Sequence, residues 1–146
     1  FTYLNHEEKR KSVERDGLIS LGDVGYMKEG RLYLCDRRSD MVIFGGTNIY
    51  PAEIEMVLTQ CPGVKDCAVF GIPDDDFGES LAAAVERMPE AQVTPEAIRS
   101  YLLERLAKFK VPKRIDFHES LPREDSGKIF KRRLRDPYWV EAGRKI

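Results

Sequence analysis

The chain has 146 residues, 42% hydrophobic and 34% charged, with 24 Lys and Arg against 25 Asp and Glu for a formal net charge of -1. That length supports one ordinary domain with its own core, and no apolar run approaches the roughly 20 residues of a membrane-spanning helix. Three cysteines, Cys35, Cys61 and Cys67, never in a C-x-x-C arrangement, argue against a disulfide framework and a zinc ribbon, and two histidines leave little basis for a histidine metal site or a serine triad. No secretory signal pattern opens the sequence, so a reducing, cytoplasmic setting is expected.

The near-neutral total hides an asymmetry. From Ala52 to Glu104 there are eleven acids and three bases (-8), and from Arg105 to Arg135 eleven bases and four acids (+7). Such a basic third faces phosphate, an anionic partner, or the acidic third of its own fold. Counting alone leaves these readings open.

In chain order, Phe1 to Asp16 is charged and aperiodic, and reads as the tail of a preceding domain or a disordered segment. From Leu18 to Asp36, Val24 and Tyr26, then Leu32 and Leu34, alternate around Lys28-Glu29-Gly30, which predicts a β-hairpin. Gly22-Asp23 stands at its entrance, and Asp36-Arg37-Arg38-Ser39-Asp40 reads as a charged linker. Met41 to Phe44 is expected as a buried strand, and Gly45-Gly46-Thr47-Asn48 as a loop whose glycines permit a tight turn or close approach of a ligand. Neither a dinucleotide fingerprint nor a P-loop is present.

Pro51 suits the first turn of a helix, Glu53 and Glu55 suit its positive end, and Ile54, Val57 and Leu58 share a face before Cys61-Pro62-Gly63 stops it. Val64 to Ile72 and Leu81 to Met88 read as strands joined by the acidic connection Pro73 to Glu79, which lacks the alternating ligands of a calcium loop and is expected to be a solvated turn. Thr94 caps a helix with Pro95 at its first position, and Ile98, Tyr101, Leu102 and Leu106 form its core stripe. Next, Lys108-Phe109-Lys110-Val111-Pro112-Lys113-Arg114 sets an aromatic between cations: a platform for a base, or a core anchor.

After a short strand over Arg114 to Phe117 comes Leu121-Pro122-Arg123-Glu124-Asp125-Ser126-Gly127-Lys128. Here Asp125, Ser126 and Gly127 supply turn chemistry and Lys128 stands at the loop's tip. A lysine there is either solvated or swung onto a phosphate or carboxylate. A basic helix is expected from Ile129, ended by Pro137.

Several of these segments arrive in a telling order: Gly22-Asp23-Val24-Gly25-Tyr26, Asp36-Arg37, Gly45-Gly46 with Asn48-Ile49-Tyr50-Pro51-Ala52-Glu53-Ile54-Glu55, Phe109-Lys110-Val111-Pro112-Lys113, and Leu121-Pro122-Arg123 with Ser126-Gly127-Lys128-Ile129. Together they resemble the C-terminal domain of the adenylate-forming superfamily, in the acyl-CoA synthetase branch, over nearly all of Gly17 to Arg135. The resemblance implies an α+β lid: an N-terminal hairpin, then a small, mainly antiparallel sheet with about three helices. It also implies boundaries: a tail over 1–16, hairpin and hinge-proximal segment over 17–38, lid over 39–136, and C-terminal tail over 137–146.

By the same resemblance, an N-terminal domain that holds the acid pocket precedes Phe1, and the chain alone is inactive. Lys128 matches the lysine that bridges substrate carboxylate and α-phosphate, so it is the expected catalytic residue. Asp23 matches the aspartate holding the AMP ribose hydroxyls, and Arg37 an arginine near the nucleotide. Gly45 and Gly46 match the loop that lines the pantetheine tunnel of CoA, Phe109 an aromatic against the CoA nucleotide, and Lys110 belongs to the basic run for CoA phosphates. Ser39 falls at the hinge, where many relatives carry aspartate or lysine. The implied reactants are a carboxylic acid, ATP with Mg2+ ligated elsewhere, and CoA; no nucleic acid partner and no metal ligand on this chain are implied. The rival reading is a non-catalytic polyanion- or nucleic-acid-binding module using residues 105–135, with Phe109 interleaved.

Overall fold

In a computed structural model, residues 13–143, together with Glu8 and Lys11, are described. Of the expected N-terminal tail, residues 1–7, 9, 10 and 12 lie outside the described residues, as do 144–146 of the expected C-terminal tail. The chain divides into two compact units, with the break after Ser39.

The described strands of the first unit form two antiparallel hairpins. Strands β1 (Glu14–Arg15) and β2 (Leu18–Ile19) pair around Asp16-Gly17, so the expected tail gives way to structure before Asp16. Strands β3 (Asp23–Lys28) and β4 (Arg31–Arg37) form the larger hairpin. Its turn, Glu29-Gly30, has positive φ at both residues (50° and 74°), the geometry whose twist matches that of the flanking strands. Tyr26 and Tyr33 stack across the ladder with ring centroids 5.1 Å apart.

The second unit is a five-stranded mixed sheet covered on both faces. Strand β5 (Val42–Phe44) pairs with β6 (Thr47–Ile49), and β7 (Val64–Asp74) with β8 (Gly78–Arg87). β8 also meets β5 at Gly78 and runs parallel to β9 (Arg114–His118). Alternation along the two long strands sends side chains to opposite faces. Val69, Leu81, Ala83 and Val85 meet Ile54 and Leu58 of helix α1 (Pro51–Leu58) and Ile98 and Leu102 of helix α2 (Pro95–Leu103). On the other face Ala68, Phe70, Ala82 and Ala84 pack on Leu121 and on Leu134 of helix α3 (Lys131–Glu141). The alanines leave room for a helix to lie close. Thr94 caps α2 as expected, its Oγ1 accepting from the Ala97 amide at 3.2 Å.

Several expectations need correction. Met41 to Phe44 is not a uniformly buried strand: Val42 is buried, and Ile43, on the opposite face, is 46% exposed. Thr47 and Asn48 belong to β6, so the glycine loop is a two-residue hairpin turn. β7 and β8 extend to Asp74 and Gly78. Asp74 is therefore no solvated turn residue: its carboxylate accepts from the Asp76 and Phe77 amides at 3.1 Å and pairs with Lys113 at 2.6 Å. The Lys113 hydrogen bond holds that carboxyl below its ordinary pKa.

Pro137 does not end the final helix, which continues through it to Glu141. A proline inside a helix costs about 3 kcal/mol through its missing N–H and its clash with the preceding turn. The residues just after it offset that cost. Tyr138 lies 6.0 Å from the Phe70 ring and donates its hydroxyl to Asp116 at 2.7 Å, and Trp139 donates Nε1 to the Gly71 carbonyl at 3.1 Å.

Candidate active-site residues

Lys128 sits on a small hairpin of its own. Arg123 and Ile129 form an antiparallel bridge, the Glu124 amide donates to the Lys128 carbonyl at 2.8 Å, the Phe130 amide donates to the Pro122 carbonyl at 2.7 Å, and Gly127 turns the chain at φ +83°. The tip is Asp125 to Gly127, and Lys128 is the first residue of the returning limb. It is exposed.

Three anchors hold this loop to the sheet. Leu121 is buried against Ala68, Ala82 and Ala84. The Leu121 amide donates to Glu86 Oε2 at 3.2 Å, and Lys65 holds the other oxygen of that buried carboxylate. The Lys65 hydrogen bond, helped by the Leu121 amide, outweighs burial and keeps the Glu86 carboxyl below its ordinary pKa. Arg123 donates to Gly127 O at 3.0 Å and to Asp66 Oδ2 at 2.5 Å.

The charge of the basic third is answered by the rest of the fold. Lys110 pairs with Glu53, Lys113 with Asp74, Arg114 with Asp116, Arg123 with Asp66, Lys131 with Glu55, Arg105 with Glu104, and Arg132 and Arg135 with Asp136. Eight of the eleven bases are thus paired, five of them (Arg105, Lys110, Lys113, Arg123 and Lys131) to carboxylates of the acidic third. Among the described residues Lys108, Lys128 and Arg133 have no such partner. Of the readings left open by the charge pattern, internal neutralisation is therefore the main one in this fold.

Asp23 and Arg37, fourteen residues apart in sequence, are brought directly opposite one another by the β3–β4 register, with Asp23 Oδ1 3.8 Å from Arg37 Nε. Both are exposed, so the carboxylate keeps acceptor capacity.

Gly45 and Gly46 have φ of 53° and 85°, and a two-residue turn of this type demands such values at both positions. The turn rests on Phe77: the Gly45 amide donates to the Phe77 carbonyl at 2.9 Å, a Cβ on Gly45 would lie 3.2 Å from the Phe77 ring, and that ring stacks on Phe44 at 4.5 Å. No signal in the sequence marks Phe77, whose partners Phe44 and Gly45 lie on a distant segment. A Cβ on Gly46 would meet nothing within 4 Å. Glycine is thus required here by the backbone itself, as well as leaving the surface above the turn clear.

Phe109 is 42% exposed on a single 3-10 turn, Lys108–Lys110, and is no core anchor. Lys110, expected to be open to CoA phosphates, is engaged by both oxygens of Glu53 at 2.7 and 2.8 Å. Ser39 lies in the turn Arg38–Asp40, where the two units divide. Among the described residues no three His, Cys, Asp or Glu are grouped to hold a metal, and no helix is long and apolar enough to cross a membrane.

This α+β arrangement, with a lysine-bearing loop laid across one face of a five-stranded sheet, matches known proteins closely. Residues 53–128 match the family described as the AMP-binding enzyme C-terminal domain, and the chain belongs to that family. It is 44% identical over 145 residues to a fatty acid–[acyl-carrier-protein] ligase, ScoC, of Streptomyces coeruleorubidus, which covers 99% of this chain and 28% of that protein. It is 46% identical over 134 residues to the 2-succinylbenzoate–CoA ligase of Bacillus cereus strain Q1, covering 91% of this chain and 27% of that protein. The structure of ATP-bound MatB from Rhodopseudomonas palustris superposes with a TM-score of 0.83 at 42% identity, over 90% of this chain and 26% of that one. The chain therefore spans a little over a quarter of the length of these relatives.

Proposed function

We propose that this domain is the lid of an ATP-dependent, AMP-forming acid–thiol ligase, and that Lys128 is its catalytic residue in the adenylation step. Family membership supports the reaction class, and one observation carries the residue: Lys128 is an exposed, unpaired cation on a loop fixed to the sheet, while most of the bases around it are neutralised.

In adenylation a carboxylate oxygen attacks the α-phosphorus of ATP, and the bond to pyrophosphate breaks. Negative charge gathers on the oxygens of the reacting carboxyl and phosphoryl groups, so a cation placed there stabilises the transition state more than the ground state. An ammonium already paired inside its own domain would have to break that pair first. Lys128 has none to break.

In this reading the Asp23 carboxylate accepts from the ribose hydroxyls of the nucleotide, with Arg37 beside it. Magnesium enters with ATP, its ligands on an N-terminal domain that also supplies the acid pocket. The lid then turns about Ser39, withdrawing Lys128 and presenting Gly45 and Gly46 to the thiol arm of CoA. The thiol sulfur attacks the acyl carbon and AMP leaves. Phe109, exposed beside unpaired Lys108, is placed for the CoA nucleotide, whereas Lys110 contributes after releasing Glu53, an exchange that a partly exposed ion pair permits at about 1 kcal/mol or less. The proposed setting is the cytoplasm, and the domain by itself gives no turnover.

The test is acid-dependent exchange of pyrophosphate into ATP by the full-length enzyme. Lys128→Ala is expected to lower it roughly 10²–10³-fold, with little change in nucleotide affinity. An unaltered exchange rate refutes the assignment. Offering CoA and an acyl carrier protein in parallel to the acyl-adenylate identifies the acceptor, and acylation of the carrier alone would overturn the choice of CoA.

A further inference from the structure

We infer that Arg123 and Asp66 form a positioning pair that fixes the backbone at Lys128, an inference that rests on the catalytic reading of Lys128. The two peptide carbonyls flanking the Lys128 Cα are both held. Gly127 O accepts from one terminal nitrogen of Arg123 at 3.0 Å, and Lys128 O accepts from the Glu124 amide at 2.8 Å. The second terminal nitrogen of Arg123 reaches Asp66 Oδ2 at 2.5 Å, across 57 residues of sequence.

Asp66 is itself fixed. It lies where the β7–β8 register shifts, and its other oxygen accepts from the Cys67 amide at 2.8 Å. The guanidinium therefore transmits the position of the sheet to the peptide group immediately before Lys128. Gly127 needs this restraint: at φ +83°, with nothing within 4 Å of where a Cβ would stand, it has no packing to keep its carbonyl in place. The side chain of Lys128 is left with a fixed root and an unpaired head.

A planar fork is required for the task. A guanidinium serves a carbonyl and a carboxylate at once with a fixed angle between them, whereas an ammonium is a mobile point charge that sets no such angle. Misplacement of a reacting group by about 1 Å can cost on the order of 10²-fold in rate.

The experiment compares Arg123→Lys, Asp66→Asn, Lys128→Ala and the double variant Arg123→Lys/Lys128→Ala in the full-length enzyme, with adenylation and acyl transfer from supplied acyl-adenylate measured separately. Arg123→Lys is expected to lower the adenylation kcat about 10- to 100-fold with the KM for ATP and the transfer rate unchanged. Asp66→Asn should follow in the same direction with a smaller loss, and the double variant should be no slower than Lys128→Ala. Equal losses in both half-reactions, an unchanged adenylation rate in Arg123→Lys, or losses that multiply in the double variant each overturn the inference. If Lys128→Ala itself leaves adenylation intact, it is the catalytic reading that fails. Should Arg123→Lys fail to fold, Asp66→Asn carries the same test.

Discussion

The Gly45-Gly46 turn and the Lys128 loop are both surface turns that the catalytic reading assigns to chemistry, yet they are held in opposite ways. The glycine turn takes its shape from two positive φ values, lies against the Phe77 ring and donates its Gly45 amide to a backbone carbonyl. The lysine loop takes its place from a buried leucine and two carboxylates, Glu86 and Asp66, that reach it from the sheet. A turn defined by its backbone meets pH and charge indirectly, here through the Asp74 carboxylate that accepts from the Phe77 amide and the Lys113 ammonium 5.2 Å from the Phe77 ring centroid. A loop held by ionised groups depends on both, and the same groups that place it are open to adjustment.

The largest expected effect on this contrast comes from the loop's apolar anchor. Leu121→Ala removes a buried side chain and should cost about 2–5 kcal/mol in denaturant unfolding of the domain, with loss of order at the lysine loop ahead of the glycine turn. A loss under about 1 kcal/mol would mean that the loop is held by its polar contacts alone.

Gly46→Val comes next. The site is spatially open, so the cost is one of backbone conformation alone, about 1–2 kcal/mol. A neutral result would show that the turn is not fixed in the positive-φ geometry.

A smaller effect separates the two turns by pH. The Glu86 carboxyl has a folded pKa below its ordinary value, chiefly because Lys65 donates to it. Its contribution to stability is therefore complete above the unfolded value, about 4.3, and is lost as pH falls through the lowered folded value. Hydrogen exchange should show the Leu121 amide, which donates to Glu86, losing protection on acidification relative to the Gly45 amide, which donates to the Phe77 carbonyl. Glu86→Gln should flatten that difference; if the two amides respond alike in the native enzyme, the contrast is wrong.

Much of this was legible in the sequence where the signal is local. Thr94-Pro95 marks a capped helix, Lys28-Glu29-Gly30 a hairpin turn, and the alternation in Val24, Tyr26, Leu32 and Leu34 the strands around it. The ordered motifs carried the family. The Lys128 loop was also visible as a turn, although its tip is one residue earlier than spacing suggested.

What escaped depends on partners distant in sequence. Pro137 reads locally as a helix stop, and only the anchoring of Tyr138 and Trp139 on β7 and β9 lets the helix continue. The +7 charge of the last third leaves a binding surface and internal neutralisation both open until its carboxylate partners on α1 and β7 are known. Arg123 lies within a recognised motif, but its role requires Asp66, and the spacing of residues along one segment says nothing of a partner on another strand. Phe77 was hidden for the same reason.

The central claim, that Lys128 is an unpaired cation delivered to the reacting carboxyl and phosphoryl groups, is tested most directly by the ratio of the two half-reaction rates in single turnovers of full-length Lys128→Ala. A collapse of acyl-adenylate formation beside a normal rate of acyl transfer from supplied adenylate is the predicted result. Normal adenylate formation, or an equal fall in both rates, would contradict it.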